Sequence, residues 1–376
     1  MRILHLVGQR EDAGGILSVI RCLHQAGPPA GIEHATWVHR DYKETRAPSL
    51  DYRRTGFIAS DSPSHLAIFF SSLLAFFSLR KLLRNESFDV IHAHTRGGLI
   101  VSLLAGLFLG RRVLFTNHSY ARRTWFYRWA ARRDWMTTVV LNPNMAAHYG
   151  LAVEPHRCSI IFSGCADRFL EEPLTANAWP SADPLAKLKL VGMGTLVRWK
   201  CWHHPIAALA RLPAELKARV EFHLWGPEQA DADSQAFAAE LRDAIEQHGL
   251  QETVLLRGVT NHVTDALRDG HFVVVASENE PCSVSLMEAL ALGLPALAAR
   301  SGGNVDIVRD GTTGLLYETA SIDGLRDRIA AILNGEFTPA SPAEIRESVR
   351  GWAASEMAAK YNQLYEQLAK PADDAP

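Results

Sequence analysis

Ser277–Gly303 reads SENEPCSVSLMEALALGLPALAARSGG, and its reading decides the fold. It follows an apolar run, Phe272-Val273-Val274-Val275-Ala276, that predicts a buried strand. A polar turn carrying Glu278 and Glu280 separates this strand from a helical pattern. Ser283 stands at the expected N-cap and Gly293 at the expected C′ position. Between Glu280 and Arg300 the only charged side chain is Glu288, set among Val284, Leu286, Met287, Ala289, Leu290 and Leu292. A carboxylate in so apolar a helix is costly unless something hydrogen-bonds it. A pair of ligand hydroxyls would do so, and the helix N-terminus beside it favours an anion. The stretch predicts a nucleotide site.

Upstream, Lys189 to Val191 leads into Gly192-Met193-Gly194-Thr195-Leu196-Val197-Arg198-Trp199-Lys200. A strand that empties into a glycine-bearing loop with Arg198 and Lys200 is a candidate diphosphate clamp. His203-His204 opens the next helix; no third ligand has metal-site spacing, so a metal is not expected. Further strands are predicted at Val220–Trp225 and Val254–Gly258, with helical patterns between them. Gly311-Thr312-Thr313-Gly314 turns into Leu315-Leu316-Tyr317. Ser341-Pro342-Ala343-Glu344 is a capping box with proline at N1. A last helix carries Met357, Tyr361, Leu364 and Leu368 on one stripe, which must pack somewhere.

The first half alternates short apolar runs with helical patterns, which predicts a second parallel α/β sheet. Ile3–Val7 is its first strand, and Gly14-Gly15 opens the following helix as either a ligand-approaching loop or a plain turn. Phe88–Thr95 and Arg112–Thr116 are strands that end in polar residues, the second followed by Asn117-His118-Ser119. Ligands bind outside the carboxyl ends of such strands, which brings Thr95 and His118 into view. A histidine there can equally serve a structural hydrogen bond. Thr137–Leu141, Asn142-Pro143 as N-cap and N1, and Ser159–Phe162 complete the half. Glu171–Asp183 has the composition of a linker.

Composition is that of an ordinary globular protein, with 47% hydrophobic and 21% charged residues, and 376 residues suffice for two domains. The N-terminus lacks the long apolar core of a signal peptide. The apolar stretches His65–Leu79 and Gly98–Leu109 fall short of the roughly 20 residues that a membrane span needs. Five scattered cysteines suit a reducing cytoplasm. The net charge of −2 hides an asymmetry: residues 1–170 hold 21 basic and 12 acidic residues, a balance of +9, and the remainder balances at −11. Seven arginines lie between Arg111 and Arg133, interleaved with Tyr120, Trp125, Phe126, Tyr127 and Trp129. This segment is read as either a solvated surface helix or a face for anionic headgroups or an anionic acceptor, with Arg122, Arg123, Arg128 and Arg132 as its contacts. Nothing points to nucleic acid as a partner.

Glu280, seven residues and then Glu288, in EPCSVSLMEALALGLPALA followed by GGNVDIVRDGTTGLLYE, resembles the signature of glycosyltransferase family four. AGGILSVI, FDVIHAHT, LFTNHS and VGMGTLVRWK resemble its other motifs and occur in the right order. The resemblance implies a GT-B fold: two Rossmann-like α/β domains facing each other across a cleft, with the C-terminal helix crossing back. Residues 1–170 plus a helix at about 352–369 would bind acceptor, residues 184–350 the donor, and 370–376 would be a disordered tail. It implies a retaining enzyme that uses a nucleotide-sugar donor, UDP- or GDP-linked, with no cofactor and no metal. The acceptor would be a glycan or a lipid-linked precursor, and the location cytoplasmic or peripheral on the inner membrane face.

The same resemblance implies roles. Glu288 would hold the donor's ribose diol and Glu280 the donor sugar's hydroxyls, with Cys282, Ser283 and Val284 offering backbone N–H groups. Lys200 would neutralise the departing diphosphate and His118 would lie at the donor sugar, with Gly14 and Gly15 closing a loop over the phosphates. Gly194 and Thr195 belong to the phosphate loop. The chain departs from the family at Thr195, where an arginine is usual, and Arg198 is expected to supply the charge. It departs again at Cys201, where a glycine is usual, and at Pro281-Cys282-Ser283 in place of Gly-Phe-Gly. A sugar-nucleotide epimerase and a non-catalytic sugar-nucleotide-binding protein are the alternatives. A dinucleotide-dependent oxidoreductase is disfavoured, since no G-x-G-x-x-G with a following ribose acid is present.

Overall fold

The computed structural model describes the chain except residues 11, 13–14, 26–30, 46–48, 57–64, 176–178, 180–182, 184 and 370–376. Gly14, part of the linker and the C-terminal tail therefore lie outside the described residues. The chain divides into two compact units, Met1–Gly164 with Ala354–Pro376, and Cys165–Ala353.

The first unit runs β1 (Arg2–Leu6), α1 (Gly15–Gln25), β2 (Glu33–His39), β3 (Tyr52–Thr55), α2 (His65–Asn85), β4 (Val90–Ala93), α3 (Arg96–Leu109), β5 (Val113–Asn117), α4 (Trp125–Ala131), β6 (Met136–Val140), α5 (Pro143–Tyr149) and β7 (Cys158–Ile160). The second runs α6 (Arg168–Glu171), β8 (Leu188–Met193), α7 (His203–Ala210), α8 (Ala214–Lys217), β9 (Val220–Trp225), α9 (Ala232–Gln247), β10 (Val254–Gly258), α10 (Val263–Arg268), β11 (Phe272–Val275), α11 (Val284–Ala291), β12 (Ala296–Ala299), α12 (Asn304–Ile307), β13 (Gly314–Tyr317), α13 (Ile322–Leu333) and α14 (Pro342–Val349). The last helix, α15 (Ala354–Ala369), belongs to the first unit.

Among the described residues the strands form two parallel sheets, ordered β3-β2-β1-β4-β5-β6-β7 and β10-β9-β8-β11-β12-β13. Parallel strands covered on both faces are apolar almost throughout. β4, β5, β6, β11, β12 and β13 accordingly bury every residue. The strand order turns back beside β1 in one sheet and beside β8 in the other, and ligands bind at such switch points.

In the first unit α15 packs on α1 and β4, and the stripe expected to need a partner is buried there. Met357, Tyr361, Leu364 and Tyr365 join Ile3, Val19, Leu23, Val90, Leu114 and Val139 in one core. In the second unit one core lies under α7, α9 and α13, built on Trp202, Phe222, Phe237 and Ile329. Another lies under α11 and α14, built on Leu286, Leu290, Ile345 and Val349.

Local signals are satisfied in most places. The Asn142 side chain accepts from the Met145 N–H with Pro143 at N1, and Ser341 and Glu344 close a reciprocal capping box. Ser283 occupies the N-cap of α11 as expected, but without a side-chain cap bond, its Oγ lying 3.5 Å from Ser285 Oγ. The length assigned to the apolar stretch at His65–Leu79 is also corrected. The helix continues through Arg80, Lys81 and Arg84, and Leu66–Asn85 is long and apolar enough to cross a membrane by length and composition. The stretch at Gly98–Leu109 falls in the shorter α3, 14 residues long.

Candidate functional site

In the second unit, the loop after β8 and the turn after β11 meet. Lys200, at the end of a 3₁₀ turn (Arg198–Lys200), sets its Nζ 2.7 Å from Glu280 Oε2. The same ammonium lies 4.2 Å from the centre of the Trp199 ring. Both partners are largely out of water, with side chains 16% and 4% exposed, so neither charge is tolerable without the other.

Close backbone approach makes this geometry. Gly302, at φ +51°, lies against the Glu280 carbonyl, where an added Cβ would sit 1.9 Å from its oxygen. The Gly303 N–H donates to that oxygen at 2.9 Å, and the Glu280 N–H donates to Ser301 Oγ at 3.3 Å. On the other side, a Cβ on Gly226 would fall 1.9 Å from the Gly194 carbonyl oxygen. Only a glycine at 226 lets the Gly194–Thr195 loop lie on the end of β9. Gly226 does not stand out in the sequence, because the carbonyl that demands a glycine there comes from a distant strand end, whereas Gly302 falls in the motif quoted above.

Cys201, where the family has glycine, has φ +53°, in the left-handed region that a glycine fills without strain. Thr195 replaces the usual arginine, and its carbonyl accepts from Trp202 Nε1 at 3.0 Å. Arg198, expected to supply the missing charge, is exposed. Its guanidinium makes a bidentate pair with Glu240 on α9 at 2.7 and 2.6 Å and lies over Phe237. Both cations of the loop are thus paired with a carboxylate, Arg198 in an exposed pair and Lys200 in a largely buried one.

Glu288 lies on α11 with no hydrogen bond or ion pair to its carboxylate among the described residues. Desolvation raises its pKa to about 7, opposed weakly by the charge of Arg168. Cys282 and Val284 are half-buried at the start of α11, and Ser285 Oγ donates to the Met193 carbonyl at 3.3 Å, tying that end to β8. The turn also gathers a group that spacing alone did not reveal. Cys201, His204 and Glu278 offer ligand atoms within 4.8 Å of one another, and His204 Nδ1 is buried without a partner. Sequence spacing offered His204 no third ligand, and the fold brings Cys201 and Glu278 to it.

In the first unit, His118 follows β5. Its Nε2 is 3.1 Å from His94 Nδ1, His94 Nε2 is 2.9 Å from His5 Nδ1, and His5 Nε2 is 2.9 Å from His34 Nδ1. Four imidazoles from β1, β2 and the ends of β4 and β5 thus form one hydrogen-bonded row. Burial pushes His118 and His34 down to about 4 and holds His5 and His94 well below the usual range, so the row is neutral. His92 lies beside it, bonded to the Tyr365 hydroxyl and Thr116 Oγ1, both 2.8 Å away. His5 and His34 were missed because only sheet pairing aligns them. Thr95 caps α3, its Oγ1 accepting from the Gly98 N–H. Gly15 begins α1 with open space around its Cα.

Arg122, Arg123, Arg128 and Arg132 are exposed on and beside α4, and none makes an ion pair among the described residues. Trp125 and Trp129 are exposed beside them, whereas Tyr127 is buried.

Two sequence families match, one in each unit. Residues 13–165 match Glycosyltransferase Family 4 and residues 176–352 match Glycosyl transferases group 1. N-acetyl-alpha-D-glucosaminyl L-malate synthase from Bacillus anthracis is 28% identical over 162 residues, 43% of this chain and 40% of that enzyme. The match thus spans less than half the length of that curated relative. Sucrose-phosphate synthase from Thermosynechococcus elongatus superposes with a TM-score of 0.79 at 19% identity, covering 98% of this chain and 99% of that one. HepE from Anabaena, solved in complex with UDP, superposes at 0.72 and 17% identity, covering 98% and 100%. The fold is GT-B, and since the two family matches together take in nearly the whole chain, the chain belongs to the group 1/family 4 glycosyltransferases.

Proposed function

We propose that the chain is a retaining glycosyltransferase that moves a sugar from a nucleotide-sugar donor to a glycan or lipid-linked acceptor. Its work would be in surface polysaccharide, lipopolysaccharide or a related glycan, at the inner face of the cytoplasmic membrane. The observation that carries this reading is the Lys200–Glu280 pair set between two strand ends. A departing diphosphate gains negative charge, and an ammonium already desolvated beside it stabilises that charge without reorganisation. Glu280 restrains the lysine and offers its other oxygen to a sugar hydroxyl. Glu288, desolvated and unpartnered, fits the ribose diol, whose two hydroxyls would donate to it. UDP is favoured over GDP because the HepE structure holds UDP.

In the step proposed, the bond from the anomeric carbon to the phosphate oxygen breaks and its electron pair leaves with the diphosphate. The acceptor hydroxyl bonds to that carbon from the same face and passes its proton to a phosphate oxygen. No protein nucleophile is required. His118 is assigned to the donor sugar by the family pattern, and its neutral ring can donate or accept one hydrogen bond there.

The test is a thermal-shift series with UDP-, GDP-, ADP- and CMP-sugars, followed by diphosphate release with and without acceptor lipids. Stabilisation by UDP-sugar with acceptor-dependent release is expected. Stabilisation by none of the four would overturn the reading. Conversion of donor without any acceptor would make the protein an epimerase.

A further inference from the structure

α2 is apolar all round, yet only one of its faces is covered. Ile68, Ser72, Ala75, Phe76 and Leu79, spaced three and four apart, are buried in the first unit. On the opposite stripe Leu66, Phe69, Phe70, Leu73, Leu74 and Phe77 are open to solvent, with Leu66 72% exposed and Phe70 60%. The neighbouring α3 adds Leu107 and Phe108 at its C-terminal end, 67% and 65% exposed, and Phe108 meets Phe76 from beneath the same surface. A helix apolar on every side is normally buried on every side. Eight large apolar side chains on two packed helices far exceed the isolated exposed residues common on monomers.

The charges around this face identify what covers it. Residues 65–133 contain 11 basic and 2 acidic residues. Arg80, Lys81 and Arg84 stand exposed on the last turns of α2, and Arg111 and Arg112 follow α3. The crossovers from β3 to β4, β4 to β5 and β5 to β6 all advance the same way across the sheet. Right-handed connections therefore put α2, α3 and α4 in one layer. That layer brings in the exposed Trp125 and Trp129 with the arginines of α4. Apolar side chains ringed by cations and amphipathic aromatics are complementary to an anionic lipid surface.

We infer that the α2–α3 face docks the chain on an anionic phospholipid bilayer, with α2 lying in the plane of the interface. Spanning would require α2 to leave α3 and bare Ile68, Ala75, Phe76 and Leu79, whereas lying flat keeps those contacts and immerses only the open stripe. The inference deepens the transferase reading in one respect that rests on it: an enzyme held at a bilayer takes a lipid-linked acceptor. The docking itself stands without that reading.

The experiment is flotation of the full chain with vesicles of phosphatidylcholine alone or with one part phosphatidylglycerol to three. Binding is expected only with phosphatidylglycerol, to weaken in high salt, and to be reversed by alkaline carbonate. Phe70→Ser with Phe77→Ser should weaken it at least tenfold. Replacing Arg80, Lys81 and Arg84 by glutamine should weaken it by about fivefold for each charge removed. Stabilisation by UDP, measured on the same samples, reports folding and the donor site separately. Lost flotation with that stabilisation intact is the supporting result for the variants. No binding of the unaltered chain to either vesicle overturns docking and leaves the donor reading untouched. Resistance to carbonate would replace docking by spanning. A concentration-dependent dimer abolished by the phenylalanine variants would assign the face to a second copy of the chain.

Discussion

Glu288 and Lys200 are both half-buried, but only Lys200 has a countercharge among the described residues. For Glu288 the consequence is a pH dependence with a definite sign. The folded carboxyl titrates near 7 against 4.5 when unfolded, so between those values the folded state holds the extra proton. Its contribution to stability is therefore present at low pH, falls as pH rises through that window, and is flat above it, with a ceiling on the order of 3 kcal/mol. Glu288→Gln carries no proton to lose and should flatten this slope in urea unfolding compared at about pH 5 and about pH 8. It should also weaken UDP binding, because an amide offers the ribose diol one acceptor atom in place of two. Equal slopes in both proteins would remove Glu288 from the pH response. For Lys200 the expectation is a loss on two fronts: Lys200→Ala strands Glu280 in a dry site, costing about 3–5 kcal/mol in stability. It should also lower turnover more than donor affinity, which kcat and KM measured separately would show.

At the scale of elements, Ser341 offers a clean test of local sequence signals. Both bonds of its capping box with Glu344 are present, so Ser341→Ala should cost about 1 kcal/mol in urea unfolding. Signals of this kind were legible: the strand and helix around Ser277–Gly303, the caps at Asn142 and Ser341, and the apolar stripe of α15 all follow from residue order. β2 and β3 were not. EHATWVH and YRRT carry polar residues that the sheet tolerates because His34 and Arg53 find partners elsewhere in the fold. The reach of α2 was misread because the apolar run stops at Arg80, while arginine, lysine and leucine continue a helix readily. In the candidate site, Glu280, Glu288 and Lys200 were legible from motif spacing. The turn of Arg198 toward Glu240 was not, since it depends on where α9 lies. Gly226 was hidden for the same reason, defined by a carbonyl far away in sequence.

On the scale of the molecule, the buried ionisable groups are unevenly shared. His5, His34, His92 and His94 belong to the first unit, and desolvation keeps all four below their ordinary value. An unfolded histidine takes up its proton near 6.5, so acid stabilises the unfolded form of this unit and its stability falls below about pH 6.5. The second unit also holds histidines that burial lowers, His203, His204, His223 and His271, but Glu288 acts there in the opposite sense. Hydrogen exchange, corrected for its intrinsic pH dependence, should show β1 and β4 less protected near pH 5 than near neutrality, with a smaller loss at α11, where Glu288 opposes the histidines. A uniform change across both sheets would contradict this division.

The return of α15 to the first unit has a consequence for synthesis. β1 leaves the ribosome well before Tyr361 and Tyr365, the tyrosines that cover its sheet. The second unit is continuous from Cys165 to Ala353 and precedes those residues in the chain, so most of it can fold before they are free. The older half of the nascent chain thus finishes after the younger one, and it waits with its open α2 stripe already outside. A lipid surface or a chaperone has its longest opportunity to meet that stripe during this interval, before α15 has docked.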